Sequence, residues 1–312
     1  MSKLGKIKSL LTNPYALCRN IKRRLCVRGF YKWQSDEAFL KNEYRAYMKK
    51  ELNLENPETY NEKLQWLKIH NRKPEYTTMV DKYESKNYVA GILGEEYIIP
   101  TLGVWERFED INFDELPEQF VLKCTHDSGG LAICTDKAKF DKEKARKKIK
   151  RSLKRNFYWS GREWPYKNVK PRIIAEKYME DGKTESGLTD YKFFCFNGET
   201  RMLYVSQGLS NHDTAGISFY DMEGKEMPFH RSDYRQISDY KMPDNFDAMK
   251  KIADRLAKEI NAPFVRVDLY SVGDKIYFSE ITFYPNSGFV PFEPEEWDRK
   301  LGDWIKLPFE KE

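Results

Sequence analysis

Residues 246–284 constrain the fold more tightly than any other stretch. Phe246 to Asn261 places Met249, Ile252, Ala253, Leu256 and Ile260 at helical spacing, so the segment predicts a helix with one apolar face. A predicted hairpin follows at once, Phe264 to Tyr270 and Ile276 to Phe283. Val265, Val267 and Leu269 alternate with Arg266, Asp268 and Tyr270, so one face is apolar and the other charged. In the return strand Ser279, Ile281 and Phe283 alternate with Phe278, Glu280 and Thr282. Pairing Val267 with Ile281 and Val265 with Phe283 sets Asp268 opposite Glu280 and Arg266 opposite Thr282. That register calls for an odd-length loop around Gly273, Asp274 and Lys275, because a two-residue turn would break it. Opposed carboxylates repel unless a cation lies between them. Either Arg266 supplies that charge, or the oxygens gather a magnesium ion that bridges nucleotide phosphates. Spacing alone leaves the two readings even.

The rest of the chain mixes helices with short strands. Residues 37–70 read as helical, and so do Asp81 to Gly94, followed by a short strand Tyr97 to Ile99 and Pro100. Gln119 to Cys124 is a strand with Lys123 near its end, followed by the polar turn Thr125 to Gly130 and a second strand, Leu131 to Cys134. A lysine there can pair with phosphates while loop N–H groups close over them, although the loop is neither a Walker A sequence nor GxGxxG. Ile173 to Met179 is rich in strand formers, and Tyr191 to Phe196 with Met202 to Val205 forms a hairpin around Asn197-Gly198. These elements with antiparallel hairpins predict an α+β fold.

Charge narrows the function classes. The net charge is only +5, from 54 basic and 49 acidic residues, yet nine basic residues precede the first acid, Asp36. Leu17, Ile21 and Leu25 form a stripe within that stretch, which predicts a basic amphipathic helix for an anionic membrane surface or for packing on the body. A second basic helix spans residues 136–155, with Phe140, Ala145, Ile149, Leu153 and Phe157 inward. Zinc-finger spacing and RNP-type aromatics are both missing, so nucleic acid is not expected as a partner. No apolar run reaches the ~18 residues of a spanning helix, and no signal-peptide pattern opens the chain. Cys18, Cys26, Cys124, Cys134 and Cys195 are scattered, with four histidines in all, so reduced thiols are expected rather than a zinc or disulfide framework.

The pieces, in order, resemble the ATP-grasp superfamily, and more narrowly the TupA-like ATP-grasp family of bacterial polysaccharide and teichuronopeptide gene clusters. The resemblance is carried by residues 62–67 (EKLQWL), 81–83 (DKY), 120–129 (FVLKCTHDSG), 162–164 (REW), 170–178 (KPRIIAEKY), 190–198 (DYKFFCFNG) and 280–285 (EITFYP). It covers roughly residues 57–290. It implies ATP held between two small α+β subdomains, with a basic helical extension over residues 1–56. The implied divisions are 57–104 for the first part of the ATP-grasp region, 105–182 for a lid subdomain and 183–312 for a C-terminal subdomain with the metal hairpin.

By this resemblance Lys82, Lys123 and Lys192 would contact phosphates, and Ser128, Gly129 and Gly130 would form the lid. Glu176, Lys177, Tyr178 and Met179 would be the hinge that reads adenine. Asp268 and Glu280 would hold Mg²⁺, and Arg266 would stabilise the transferring phosphoryl group together with Lys123. Many ATP-grasp enzymes carry Glu-x-Asn where this chain has Glu280-Ile281-Thr282, so Asn286 is the alternative to Thr282 as third ligand. His126 and Arg162 are candidate substrate contacts. The implied activity is a carboxylate–amine ligase working through an acyl phosphate, joining an amino acid to a uronic acid or amino sugar, possibly lipid-linked, of a surface polysaccharide. A glycosyltransferase and a non-catalytic membrane-surface or interaction protein are the alternatives. The implied location is cytoplasmic, at the inner face of the plasma membrane if residues 1–35 attach there.

Overall fold

The computed structural model describes residues 21–22, 24–182, 187–208 and 215–308. Among these, two antiparallel sheets carry the architecture. The first has strands β1 (Thr101–Trp105), β2 (Phe120–Cys124), β3 (Leu131–Cys134) and β4 (Ile173–Lys177) in the order β1-β4-β2-β3. The second has β5 (Asp190–Phe196), β6 (Glu199–Gln207), β7 (Gly216–Tyr220), β8 (Phe264–Val272) and β9 (Lys275–Thr282) in the order β7-β6-β5-β8-β9. Each sheet buries one face under a helix. Ala145 and Ile149 of the basic helix Lys142–Leu153 join Phe120, Leu122 and Ile173 in the smaller core. Met249, Ala253 and Leu256 of Phe246–Ile260 join Phe193, Val265 and Val267 in the larger one.

The expected helix over 37–70 is two helices, α1 (Asp36–Met48) and α2 (Tyr60–His70). Lys49 turns left-handed and closes the first, and Pro57 rules out helix just before it. Thr59 then opens the second with a capping box to Glu62. The next helix, α3 (Glu84–Leu93), starts later than Asp81 because that carboxylate accepts from the Tyr83 N–H at 2.9 Å. Gly94 ends it as expected. Tyr97 to Ile99 is no strand: Glu95–Tyr97 is a tight turn, and Ile98 makes one bridge to Phe278. Pro100 lacks an N–H, and the ladder begins after it, at Thr101. The basic segment gives a shorter helix, α4 (Lys142–Leu153), capped by Asp141. Phe157 leaves its face and packs edge-on against Tyr166 instead. Strand β7 and the helix Glu296–Asp303 carried no sequence signal read above.

The Asn197-Gly198 hairpin turn forms with both residues at positive φ. Around the second hairpin the expected pairs Asp268↔Glu280, Val267↔Ile281 and Arg266↔Thr282 are present, but the loop is not odd-length. Val272 pairs with Lys275 across the two-residue turn Gly273-Asp274, and Leu269 pairs with Phe278. Ser279 is therefore left unopposed as a β-bulge, which restores the parity that the turn removes. The bulge also moves Phe278 to the face of Leu269, where it is buried in the larger core rather than beside Glu280.

Cys26, Cys124, Cys134 and Cys195 are buried free thiols, and Cys18 lies outside the described residues. So does Leu17 of the N-terminal stripe; Ile21 is exposed, and Leu25 is followed by Cys26, buried against Phe39, Leu40 and Tyr44.

The helix Glu296–Asp303 crosses the start of α2 so closely that a Cβ on Gly302 would overlap the Glu58 carbonyl oxygen and the Thr59–Tyr60 backbone. Gly302→Ala is expected to cost about 1–3 kcal/mol through forced backbone displacement. Urea unfolding followed by circular dichroism checks it, and an unchanged midpoint would remove the contact from the account.

Candidate active site

The face of the second sheet opposite the helix Phe246–Ile260 carries charge in register. Lys192 pairs with Asp268 across β5 and β8, and Asp268 with Glu280 across β8 and β9. Arg266 lies one pleat along, opposite Thr282. Its Nε donates to Asp268 Oδ1 and its Nη2 to Oδ2, both at 2.6 Å. The same Nη2 reaches Glu280 Oε1 and Thr282 Oγ1, each at 3.1 Å. Lys192 Nζ donates to Asp268 Oδ2 at 2.6 Å and Asp190 Oδ1 at 3.0 Å. The guanidinium thus lies between the two opposed carboxylates and answers their repulsion.

Exposure separates the two acids. Asp268 is 0% exposed, whereas the Glu280 side chain is 34% exposed. Burial pushes the Asp268 carboxyl up, against the pull of Arg266 and Lys192. Burial opposes ionisation of Glu280 as well, but Lys82, Lys192, Arg266 and Lys123 together bring it down to about 2.

A second group faces this row from the first sheet and α3. Lys82 is anchored by its own N–H to the Thr125 carbonyl at 3.1 Å, and its Nζ lies 3.7 Å from Glu280 Oε2. Lys123 of β2 and Lys86 of α3 converge on Glu176 of β4, at 2.5 and 2.6 Å. Burial alone would raise Glu176; the two lysines hold it at about 2. Burial wins at Lys86, whose ammonium is pushed down, while Lys123 is raised because Glu176, Tyr270 and Glu280 outweigh its burial. Asp81 caps α3 and accepts from Arg172 at 2.8 Å, which fixes the turn that aims Lys82.

The structure therefore gathers Lys82, Lys123, Lys192, Glu176, Arg266, Asp268 and Glu280 of the sequence-derived set. Lys177 closes β4, and its N–H is taken by the Pro100 carbonyl at 3.0 Å; Tyr178 and Met179 follow beyond the ladder, both half-buried. Ser128 and Gly129 form the exposed tip of the glycine-bearing loop. The N–H groups of Gly129 and Gly130 donate to Asp127 Oδ1, at 3.1 and 2.9 Å, so they face their own loop. Gly130 is buried against Cys124 and Ser152, where a Cβ would overlap both side chains.

Three candidates stand apart. Arg162 is fully buried, stacked on Phe39 and Trp159, donating to the Tyr31 carbonyl at 2.7 Å and lying 3.4 Å from Asp36 Oδ1. It ties the segment around Trp159 to residues 31–39, away from the charged row. His126 is buried, with Nε2 donating to the Ser152 carbonyl at 3.2 Å. Asn286 is exposed in a turn where Asn286, Ser287 and Gly288 all have positive φ, whereas Thr282 Oγ1 is the oxygen that touches Glu280 Oε1, at 3.3 Å. Sequence reasoning missed Lys86, Asp190 and Arg172. Lys86 lies one helical turn after Lys82 and Asp190 two residues before Lys192, so i+4 and i+2 spacing could have found both.

A family model described as TupA-like ATPgrasp matches residues 62–306. No curated protein matches the chain. Solved structures similar to it include a D-alanine–D-alanine ligase from Bacillus anthracis complexed with ATP, at 16% identity and TM-score 0.40 over 73% of this chain and 63% of that one. The D-alanyl-alanine synthetase A from Vibrio cholerae O1 biovar eltor str. N16961 is similar at 12% identity and TM-score 0.42, over 71% of this chain and 62% of that one. The ATP-grasp ligase PsnB complexed with minimal precursor, Mg and ADP is similar at 10% identity and TM-score 0.37, over 71% and 57%. The chain thus spans less than two thirds of the length of each of these three.

Glu176→Gln would leave two lysines without their carboxylate. It is expected to cost about 3–5 kcal/mol at neutral pH. The folded state holds Glu176 near 2 against a usual 4.5, so its contribution is full above pH 4.5 and fades as pH falls toward 2. Unfolding curves across that window should fall less steeply for Glu176→Gln than for the wild type. Equal slopes and equal stability would show that the lysine pair does not depend on this acid.

Proposed function

The chain belongs to the TupA-like ATP-grasp family, and from that premise we propose that it is an ATP- and Mg²⁺-dependent carboxylate–amine ligase. The observation that carries this reading is the charged row Lys192–Asp268–Glu280 with Arg266, faced by Lys82 and by the Lys123–Glu176 pair. Four cations meet four carboxylates there, with Asp190 as the fourth acid. Such a set binds a polyanion by exchange: each lysine or arginine that turns to a phosphate leaves a carboxylate oxygen for a metal.

The donors fit magnesium. Two carboxylates stand opposite each other on a rigid sheet, with the Thr282 hydroxyl beside Glu280, an oxygen-only set. Mg²⁺ takes one or two protein carboxylates and completes its shell with phosphate oxygens and water. Asp268 and Glu280 would hold it, with Thr282 or Asn286 adjoining. When bound, the ion supplies positive charge to the β- and γ-phosphate oxygens.

Chemistry then divides among this chain's residues. Tyr178 and Met179, beyond the β4 ladder, offer backbone groups to adenine, and Glu176 fixes Lys123 and Lys86 beneath them. Lys82, Lys123 and Lys192 orient the phosphates, with the Ser128–Gly130 loop above. A substrate carboxylate oxygen attacks the γ-phosphorus and the bond to the β-phosphate oxygen breaks, giving ADP and an acyl phosphate. Arg266 stabilises the equatorial charge during transfer. An amine then attacks the acyl carbon, loses a proton, and phosphate leaves as the amide forms. The substrate pair that suits the family's setting is an amino acid with a uronic acid or amino sugar of a bacterial surface polysaccharide, made on the cytoplasmic side. Among the described residues no helix is long and apolar enough to cross a membrane.

ADP release screened over amino acids, uronic acids and amino sugars tests the reading. Release is expected only when a carboxylate and an amine are both present, and Glu280→Gln should lower it at least about 100-fold. Consumption of a nucleotide sugar without ATP would establish a glycosyltransferase instead. A folded protein that binds no adenine nucleotide at millimolar concentration, measured by calorimetry with Mg²⁺, would overturn the reading.

A further inference from the structure

Two adjoining cavities, of about 240 and 220 Å³, open beside the glycine-bearing loop and share Val27 and Arg155 in their walls. Arg28, Lys32, His126, Lys154, Arg155 and Trp159 line the first. Arg24 joins in the second, which backs onto Asp127, Ser128 and Gly129. No carboxylate lines the first cavity, and none of Lys82, Lys123, Asp268 or Glu280 lines either.

The cations come from two separate segments, residues 24–32 and residues 154–155, so the fold brings them together. Among the described residues no ion pair engages Arg24, Arg28, Lys154 or Arg155. Gathering like charges around a cavity is unfavourable unless an anion completes it. A second observation points the same way. His126 is 2% exposed, Nε2 is used by the Ser152 carbonyl, and Nδ1 has no hydrogen-bond partner; the Arg155 backbone lies near it without completing one. Burial pushes this imidazole down, so the free ring is neutral with a lone pair at Nδ1; an anion seated there favours the protonated ring, which donates.

We propose that this cavity binds a phosphate or diphosphate group carried by the substrate that receives the new amide bond. Arg28 and Arg155 supply planar forks, Lys32 and Lys154 point charges, and His126 the buried contact. The cavity is lined by none of the lysines assigned to the nucleotide phosphates and adjoins them through the Thr125–Gly130 loop, so an occupied cavity would stiffen that loop. Substrate role rests on the ligase reading; phosphate binding itself does not. Phe30 and Trp33, 63% and 76% exposed, flank Arg28 and Lys32 in the chain. They suit a phosphate held at a lipid surface, and a soluble sugar phosphate offers the same chemistry.

Inorganic pyrophosphate and phosphatidylglycerol vesicles are the probes, with tryptophan emission as readout. Pyrophosphate is expected to change emission of the full-length protein, and Trp159→Phe should remove most of that change. Arg28→Ala/Arg155→Ala, whose side chains make no ion pair among the described residues, should weaken binding at least tenfold, and saturating ATP with Mg²⁺ should leave the pyrophosphate signal unaltered. Vesicle binding that pyrophosphate displaces would identify a lipid-borne phosphate; pyrophosphate binding without vesicle binding would identify a soluble one. Wild-type affinity in the double variant would overturn the proposal. So would a signal abolished by saturating ATP with Mg²⁺, which would place pyrophosphate in the nucleotide site and leave the ligase reading standing.

Discussion

The bidentate contact between Arg266 and Asp268 is the interaction on which the rest of the site depends. Both groups are buried on a sheet whose other face is the main hydrophobic core. Removing either partner would leave the other buried with only part of its counter-charge, Lys192 for Asp268 or Glu280 for Arg266. The pair is tolerated because the network does not stop there. Lys192 and Asp190 extend it across β5, and Glu280 and Thr282 across β9. A row of charges held on rigid strands keeps its geometry with little entropy left to lose, which is what recognition of a highly charged ligand requires.

The first sheet answers this row with a smaller version of the same device. Glu176 draws together a lysine from β2 and one from α3, so a single carboxylate joins the sheet to the helix that follows Asp81 and Lys82. Arg172 and Asp81 fasten the same, N-terminal end of that helix. Lys82 then reaches toward Glu280, and the two sheets meet through charge rather than through a shared apolar face. Contacts of this kind strengthen or exchange when ions enter, whereas packed side chains do not.

The hairpin shows how much of the site was legible and where legibility ended. Alternation of Val265, Val267 and Leu269 with Arg266 and Asp268 located the charged face, and apolar pairing put Asp268 opposite Glu280. The same rule misplaced Phe278, because a bulge at Ser279 costs too little to leave a mark on composition. Arg162 was ambiguous for a different reason. Arginine among tryptophans reads equally well as a ligand contact or as a buried stacking partner, and only the closeness of Phe39, Asp36 and Tyr31, more than 120 residues away in the chain, separates the two.

Local order in the sequence determined the hairpins, the capped helices, the charged face of the second sheet and the family, because each rests on periodicity or on residues near one another in the chain. Which charge meets which was decided by tertiary structure alone. Lys86 and Lys123 find Glu176, and Arg28 finds Arg155 across a cavity, through strand order and helix docking. Coulomb energy depends on separation in space and on burial, and neither is written in the spacing of residues along a chain.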